Sequence, residues 1–275
     1  MLRIGAVSYL NTKPLIHSLS EQLGDAGTLT LDLPSRLADG LRRSELDVAL
    51  IPSVEYFRGD HYEVISDAAI ACRGPVWSVR LLSRVPVPQI KRLALDEGSR
   101  TSAAMVRVLL WEMHGLKPEA VSLRIDQTPE QVDADAIMLI GDRAMHPAPG
   151  VYREIWDLGD RWCRWTELPF VFAMWVARPG VWDDASNSQV GRQTTIDRQT
   201  LAGMLEASRD SGLENMEQIA SDESAAHGLT KEDLHRYFAE NLYFRLGPGE
   251  RLGLEAFQNR AAAMGLIPDS TSVTA

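Results

Sequence analysis

Three short apolar runs, separated by stretches that favour helix, constrain this chain most. Leu2–Val7, Leu29–Leu33 and Asp47–Pro52 have the length and pattern of strands, and the last reads as a buried parallel one. Between them, Leu15, Ile16, Leu19 and Leu23 supply one helical face that Gly24 can close. Ser35 can cap a second helix over Arg36–Arg43, with Leu37 and Leu41 inward. Strand and helix alternate, which predicts an α/β fold with a parallel sheet. In such sheets ligands collect at the carboxyl ends of the strands. Two polar segments occupy those ends: Ser8-Tyr9-Leu10-Asn11-Thr12 after the first run, and Pro52-Ser53-Val54-Glu55 after the third. Asn11 or Thr12 can cap the first helix, and Pro14 then falls in its first turn, where a missing N–H costs nothing. Backbone N–H groups at such a helix start favour an anion. Read alone, the same turn is equally a capped helix with a polar loop.

Further strands follow, and a second unit then repeats the pattern from Lys91. Tyr62–Ile65 and Ala68–Ala71 read as strands, and Arg73-Gly74-Pro75 breaks the chain. Val76–Ser83 then alternates, with Ser78 and Arg80 on one face. That face suits either a cleft or a wet sheet edge. Pro86-Val87-Pro88 is stiff and poor in donors, and marks a lobe boundary. Lys91–Asp96 predicts a strand, followed by Ser99, Thr101 and Ser102 at the start of a helix that runs to Gly115. Three hydroxyls at a helix N-terminus can receive an oxyanion, though one of them must serve as the cap. Val121–Ile125 and Ala136–Ile140 are further strands. Asp142 after the second either caps a short helix or meets a ligand hydroxyl. Phe170–Ala177 is apolar on both faces, a central strand returning to the first lobe.

The resulting expectation is a two-lobed, periplasmic-binding-protein-like (type II) α/β fold with a ligand cleft between lobes and two crossover strands. Lobe I would comprise residues 1–85 and 178–275, and lobe II residues 86–177. Helices are expected over Ile196–Ser208, Leu213–Ala220, Lys231–Asn241 and Glu250–Met264. Thr230-x-x-Asp233 resembles a capping box, and Ser270–Ala275 is expected to be disordered.

Composition removes several functions. The net charge of -10 argues against a broad nucleic-acid surface, and no stretch is long and apolar enough to span a membrane. No basic, apolar leader precedes the first strand, so a cytoplasmic protein is expected. Cys72 and Cys163 are the only cysteines, too few for a disulfide scaffold and without metal-site spacing. Nucleophile-elbow, zincin, Walker and dinucleotide motifs are missing. The six histidines lie outside the polar strand ends and read as surface residues. The residues alone support a clamp for a small organic anion and do not reveal a reaction.

Several segments resemble the chorismate dehydratases that open the futalosine route to menaquinone. They are Ser8-Tyr9-Leu10-Asn11-Thr12-Lys13-Pro14-Leu15, Ile51-Pro52-Ser53-Val54-Glu55-Tyr56, Gly74-Pro75-Val76-Trp77-Ser78-Val79 and Asp96-x-x-Ser99-Arg100-Thr101-Ser102. Asp157-Leu158-Gly159 with Trp165–Ala173 extends the likeness over nearly the whole chain. The resemblance implies a carbon–oxygen lyase that converts chorismate to 3-[(1-carboxyvinyl)oxy]benzoate and water, with no metal or organic cofactor. It implies Asn11 as a donor at the reacting centre and Ser78 as a second polar contact. Thr101, Ser102 and Ser99 would hold a carboxylate, Ser8, Tyr9 and Ser53 would line the cleft, and Asp142 would meet a hydroxyl. A small-molecule substrate is the only partner implied, in a monomer or homodimer. Two alternatives share the architecture: the dihydroxynaphthoate synthase of the same route, and a non-catalytic binder of small anions.

Overall fold

Alternating buried runs and capped helices build two sheets in the computed structural model, which describes residues 1–59, 61–146, 150–182 and 196–268. The chain opens with β1 (Leu2–Val7), a 3-10 turn (Leu10–Ile16) and α1 (Leu19–Leu23), which Gly24 ends at a positive φ of 47°. β2 (Gly27–Asp32), α2 (Pro34–Arg42), β3 (Val48–Pro52), α3 (Ser53–Arg58) and β4 (Glu63–Cys72) follow. β1 pairs in parallel with β2 on one side and β3 on the other, as the sequence predicts. Two details differ. Tyr9 precedes the 3-10 turn without a side-chain cap, so neither Asn11 nor Thr12 caps it. Pro34, pre-set for helix at N1, starts α2 in place of a Ser35 cap.

The second sheet contains β5 (Val79–Ser83), β6 (Arg92–Asp96), β7 (Glu119–Leu123), β8 (Ala136–Ile140) and β9 (Glu154–Asp157), in the order β7-β6-β8-β5-β9. Its helices are α4 (Arg100–His114), ended by Gly115 at φ 66°, α5 (Asp142–Met145) and α6 (Leu158–Thr166). β10 (Phe170–Ala177) then returns to the first sheet, antiparallel between β3 and β4, and every residue of it is buried. α7 (Arg198–Glu214), α8 (Met216–Glu223), α9 (Lys231–Arg236), β11 (Tyr243–Arg245) and α10 (Pro248–Ala263) complete the described chain. β11 adds to the free edge of β4, giving the order β11-β4-β10-β3-β1-β2. Thr230 Oγ1 accepts the Asp233 N–H at 3.0 Å, the cap read from the sequence.

Strand pairing moves both lobe boundaries. β5 bonds to β8 and β9, so the outgoing crossing falls at residues 73–78 and not at Pro86-Val87-Pro88. β10 belongs to the first sheet, so the return falls at residues 167–169 and not after Ala177. A proline-rich segment looks like a linker in sequence, but Val87 and Ile90 are buried and it is an ordinary loop of the second sheet. The two strands expected within 62–71 are one, Glu63–Cys72. The stretch expected to be disordered, Ser270–Ala275, lies outside the described residues. No helix among the described residues is long and apolar enough to cross a membrane.

Candidate active site

The carboxyl ends of β1 and β3 face the start of β5 and the ends of β6 and β8, and a cleft of about 480 Å³, its mouth included, lies between them. Its walls are mainly apolar: Val7, Pro34, Pro52, Ile70, Val76, Val79, Ile140, Phe172 and Ala173. Set into them are Tyr9, Asn11, Ser78, Ser99 and Ser102, with Gly141. Among the described residues the lining contains no Asp, Glu, His, Lys or Arg. Tyr9 is the one titratable side chain among the described residues of the lining, and burial, reinforced by the charges of Asp96 and Asp142, pushes the phenol pKa well up. An apolar site of this kind strengthens each hydrogen bond directed into it.

Each polar group is prepared by a neighbour. Asn11 Oδ1 accepts the Thr12 hydroxyl at 3.3 Å, which orients the amide. The Nδ2 group makes no hydrogen bond among the described residues. Ser78 lies just before β5, where Trp77 holds a positive φ of 62° and the Ser78 N–H closes a tight turn on Val76 O at 2.7 Å. That turn is anchored by Asp157, whose carboxylate accepts the N–H groups of Val76 and Trp77. Ser78 is therefore outside the strand in which the sequence places it. It is almost wholly buried, and Tyr237 donates to its Oγ at 2.8 Å. Ser99 is the cap of α4: its Oγ accepts the Ser102 N–H at 3.1 Å and donates to Ser102 Oγ at 2.9 Å. Ser102 thus keeps its own proton to donate, beside the positive end of a 15-residue helix.

The remaining predicted residues are placed elsewhere. Thr101 Oγ1 accepts the Val54 N–H at 3.1 Å and lies 3.4 Å from Ser53 Oγ, which donates to Val171 O at 2.8 Å. Both hydroxyls are buried where α4 docks on α3, and neither residue lines the cleft. Their polarity satisfies backbone groups at the contact between lobes. Ser8 is exposed, gives its N–H to Asp32 O and is absent from the lining. Asp142 is also off the lining. Its Oδ1 accepts the Leu10 N–H at 3.1 Å, and burial raises its pKa. His227, expected at the surface, packs 3.4 Å from Asp142 Oδ2. Tyr237 and His227 carry no local signature, because each reaches the site from the C-terminal helices. Arg100 also stands out only in the structure, bridging α4 to Asp39 on α2 and Glu55 on α3.

Comparison with known proteins agrees with this geometry. The sequence profile of a family described as menaquinone biosynthesis matches residues 2–263. The chain is 30% identical to the chorismate dehydratase of Thermus thermophilus over 96% of its own length and 95% of that protein. Among solved structures it resembles protein AF1704 from Archaeoglobus fulgidus, with a TM-score of 0.73 at 17% identity, covering 97% of this chain and 98% of that one. It also resembles the periplasmic aliphatic sulphonate binding protein of Escherichia coli, with a TM-score of 0.63 at 13% identity, covering 98% and 88%. At these identities the structural likenesses speak for the periplasmic-binding-protein-like fold alone.

Proposed function

This chain belongs to the menaquinone-biosynthesis family, and we propose that it is a chorismate dehydratase, a cytoplasmic hydro-lyase that forms 3-[(1-carboxyvinyl)oxy]benzoate and water in menaquinone biosynthesis. The observation that carries this reading is the identity with the Thermus enzyme across almost the whole of both chains. The cleft supports it. Chorismate presents an apolar ring, two carboxylates and one hydroxyl, and donors reach the cleft from both sides: Asn11 from one lobe, Ser102 from the other, and Ser78 from the crossing between them.

In this reading Ser102 and the start of α4 receive a carboxylate, while Asn11 and Ser78 face the reacting ring. The proton on the ring carbon bearing the enolpyruvyl ether leaves first. Its electron pair spreads through the adjacent double bond toward the ring carboxylate, giving an enolate-like species. Hydroxide then departs from the neighbouring carbon and the ring becomes aromatic. With no basic group in the lining among the described residues, the enolpyruvyl carboxylate of the substrate takes the proton and delivers it to the departing hydroxide, which leaves as water. The protein orients the substrate and stabilises developing negative charge with fixed donors.

Incubation with chorismate, followed by chromatography and mass, tests the proposal. A product lighter by one water supports it. Chorismate recovered unchanged from folded protein refutes it, and points to the related naphthoate synthase or to a plain anion binder.

A further inference from the structure

Tyr9 crosses the cleft from the end of β1 and seats against two residues that have no side chain. A Cβ built on Gly98 would lie 2.7 Å from Tyr9 Oη, and one built on Gly141 would lie 3.0 Å from two ring carbons. Gly98 follows β6 and Gly141 follows β8, so the socket belongs wholly to the other lobe. Tyr9 Oη is buried with no hydrogen-bond partner among the described residues. Shape, and not a hydrogen bond, therefore holds the phenol there. One residue on, the Leu10 N–H donates to Asp142 Oδ1 at 3.1 Å, so consecutive residues of one lobe meet consecutive residues of the other. Asn11, the next residue, lines the cleft.

We propose that Tyr9 is a positioning residue whose ring, seated in the Gly98–Gly141 socket, sets the closed spacing of the lobes. That spacing fixes how far Asn11 stands from Ser102. Two-lobed binding folds close by hinge motion, and a ring that must enter a socket gives closure a defined end point. The kinetic part of the proposal rests on the dehydratase reading, whereas the closure itself does not.

Gly98→Ala tests it, because Gly98 does not occupy the left-handed region and the added methyl acts by contact with Tyr9 and Asp96. Amide hydrogen exchange read by mass spectrometry, without ligand, is expected to accelerate by about tenfold at residues 8–16 and 141–145 in this variant. Tyr9→Ala empties the socket and is expected to accelerate the same two segments, which keeps the test decisive if Gly98→Ala folds poorly. Tyr9→Phe combined with Gly98→Ala removes the oxygen that the methyl would strike, and is expected to return exchange toward that of the natural protein. With chorismate, Gly98→Ala is expected to raise KM about tenfold while kcat falls less, and the double variant to recover most of that loss. Unchanged exchange in both single variants, or a double variant no slower to exchange than Gly98→Ala, overturns the proposal. A natural protein that leaves chorismate intact overturns the dehydratase reading, and the exchange result still decides the socket.

Discussion

Tyr237 donates its hydroxyl to Ser78 Oγ at 2.8 Å across 159 residues of chain. The tyrosine is buried, and burial pushes its pKa far up, so it stays a donor throughout the working pH range. Because Ser78 accepts this bond, its own proton is left for the cleft. Tyr237→Phe is expected to lower kcat about fivefold, on the order of 1 kcal/mol for one neutral hydrogen bond, with little change in KM. The effect should vanish in a Ser78→Ala background, and a double-mutant cycle reads the coupling directly. Equal losses in both backgrounds would place Tyr237 in the core alone.

Asn11 is the donor whose loss should cost most. Its amide is oriented by Thr12 and stands on a turn fixed between β1 and α7. Removing one donor aimed at developing charge costs about 3 kcal/mol, so Asn11→Ala should retain roughly one hundredth of the natural kcat. Circular dichroism should show the fold intact. Near-normal turnover in a folded variant would remove Asn11 from the mechanism.

The sheets were legible because local patterns specify them. Leu2–Val7 and Phe170–Ala177 are buried strands by composition, and one hydroxyl among Ser99, Thr101 and Ser102 had to cap the helix that follows. The division of labour among hydroxyls was not legible. Ser99, Thr101 and Ser102 look alike in sequence, and only the approach of α3 assigns Thr101 to the Val54 N–H and leaves Ser102 to the cleft. Tyr237, His227 and Arg100 were missed because their partners are distant in sequence and their own surroundings give no pattern. The lobe boundaries were misplaced for a related reason. Prolines signal a break in the chain, whereas sheet membership depends on which strand β5 and β10 find.

Arg100 ties the lobes electrostatically. Its guanidinium reaches both oxygens of Asp39, at 3.0 and 2.8 Å, and Glu55 Oε2 at 3.1 Å. The side chain is 30% exposed, so solvent screens part of the attraction. Arg100→Ala is expected to cost about 1–2 kcal/mol, since the fork is two-pronged and Glu55 is left nearly buried. Thermal unfolding should fall by roughly 3–6 °C. Arg100→Lys keeps the charge without the fork and should recover only part of the loss.

Asp47 gives the fold an acid-sensitive anchor. Burial alone would raise its carboxyl, but Arg3, through side chain and backbone, and Arg178 outweigh it and hold the pKa at about 2. The unfolded value is about 3.9, so the folded state favours the ionised form. The stabilisation is therefore complete above the unfolded value and is lost as pH falls toward 2. Chemical denaturation should show natural protein more stable than Asp47→Asn at pH 6, with the difference shrinking between pH 4 and pH 2. A difference independent of pH would assign Asp47 a packing role only.

Two glycines on α7 make opposite predictions from the same substitution. Alanine gains up to about 1 kcal/mol over glycine inside a helix. At Gly203 a Cβ meets nothing within 4 Å, so Gly203→Ala should stabilise the protein and leave turnover unchanged. At Gly212 a Cβ would lie 1.9 Å from Pro14 O, a backbone atom of the turn that carries Asn11. No rotamer relieves that contact, so either α7 or the turn must move. Forced overpacking typically costs 1–3 kcal/mol, which exceeds the helical gain. Gly212→Ala should therefore destabilise by about 1–2 kcal/mol in denaturant and also lower kcat, because the turn that yields carries the donor. Lost stability with unchanged kcat would mean that α7 shifts and the turn stays. Lost kcat with stability unchanged would mean that the turn yields at little energetic cost, and that the position of Asn11 depends on α7 more than the fold does.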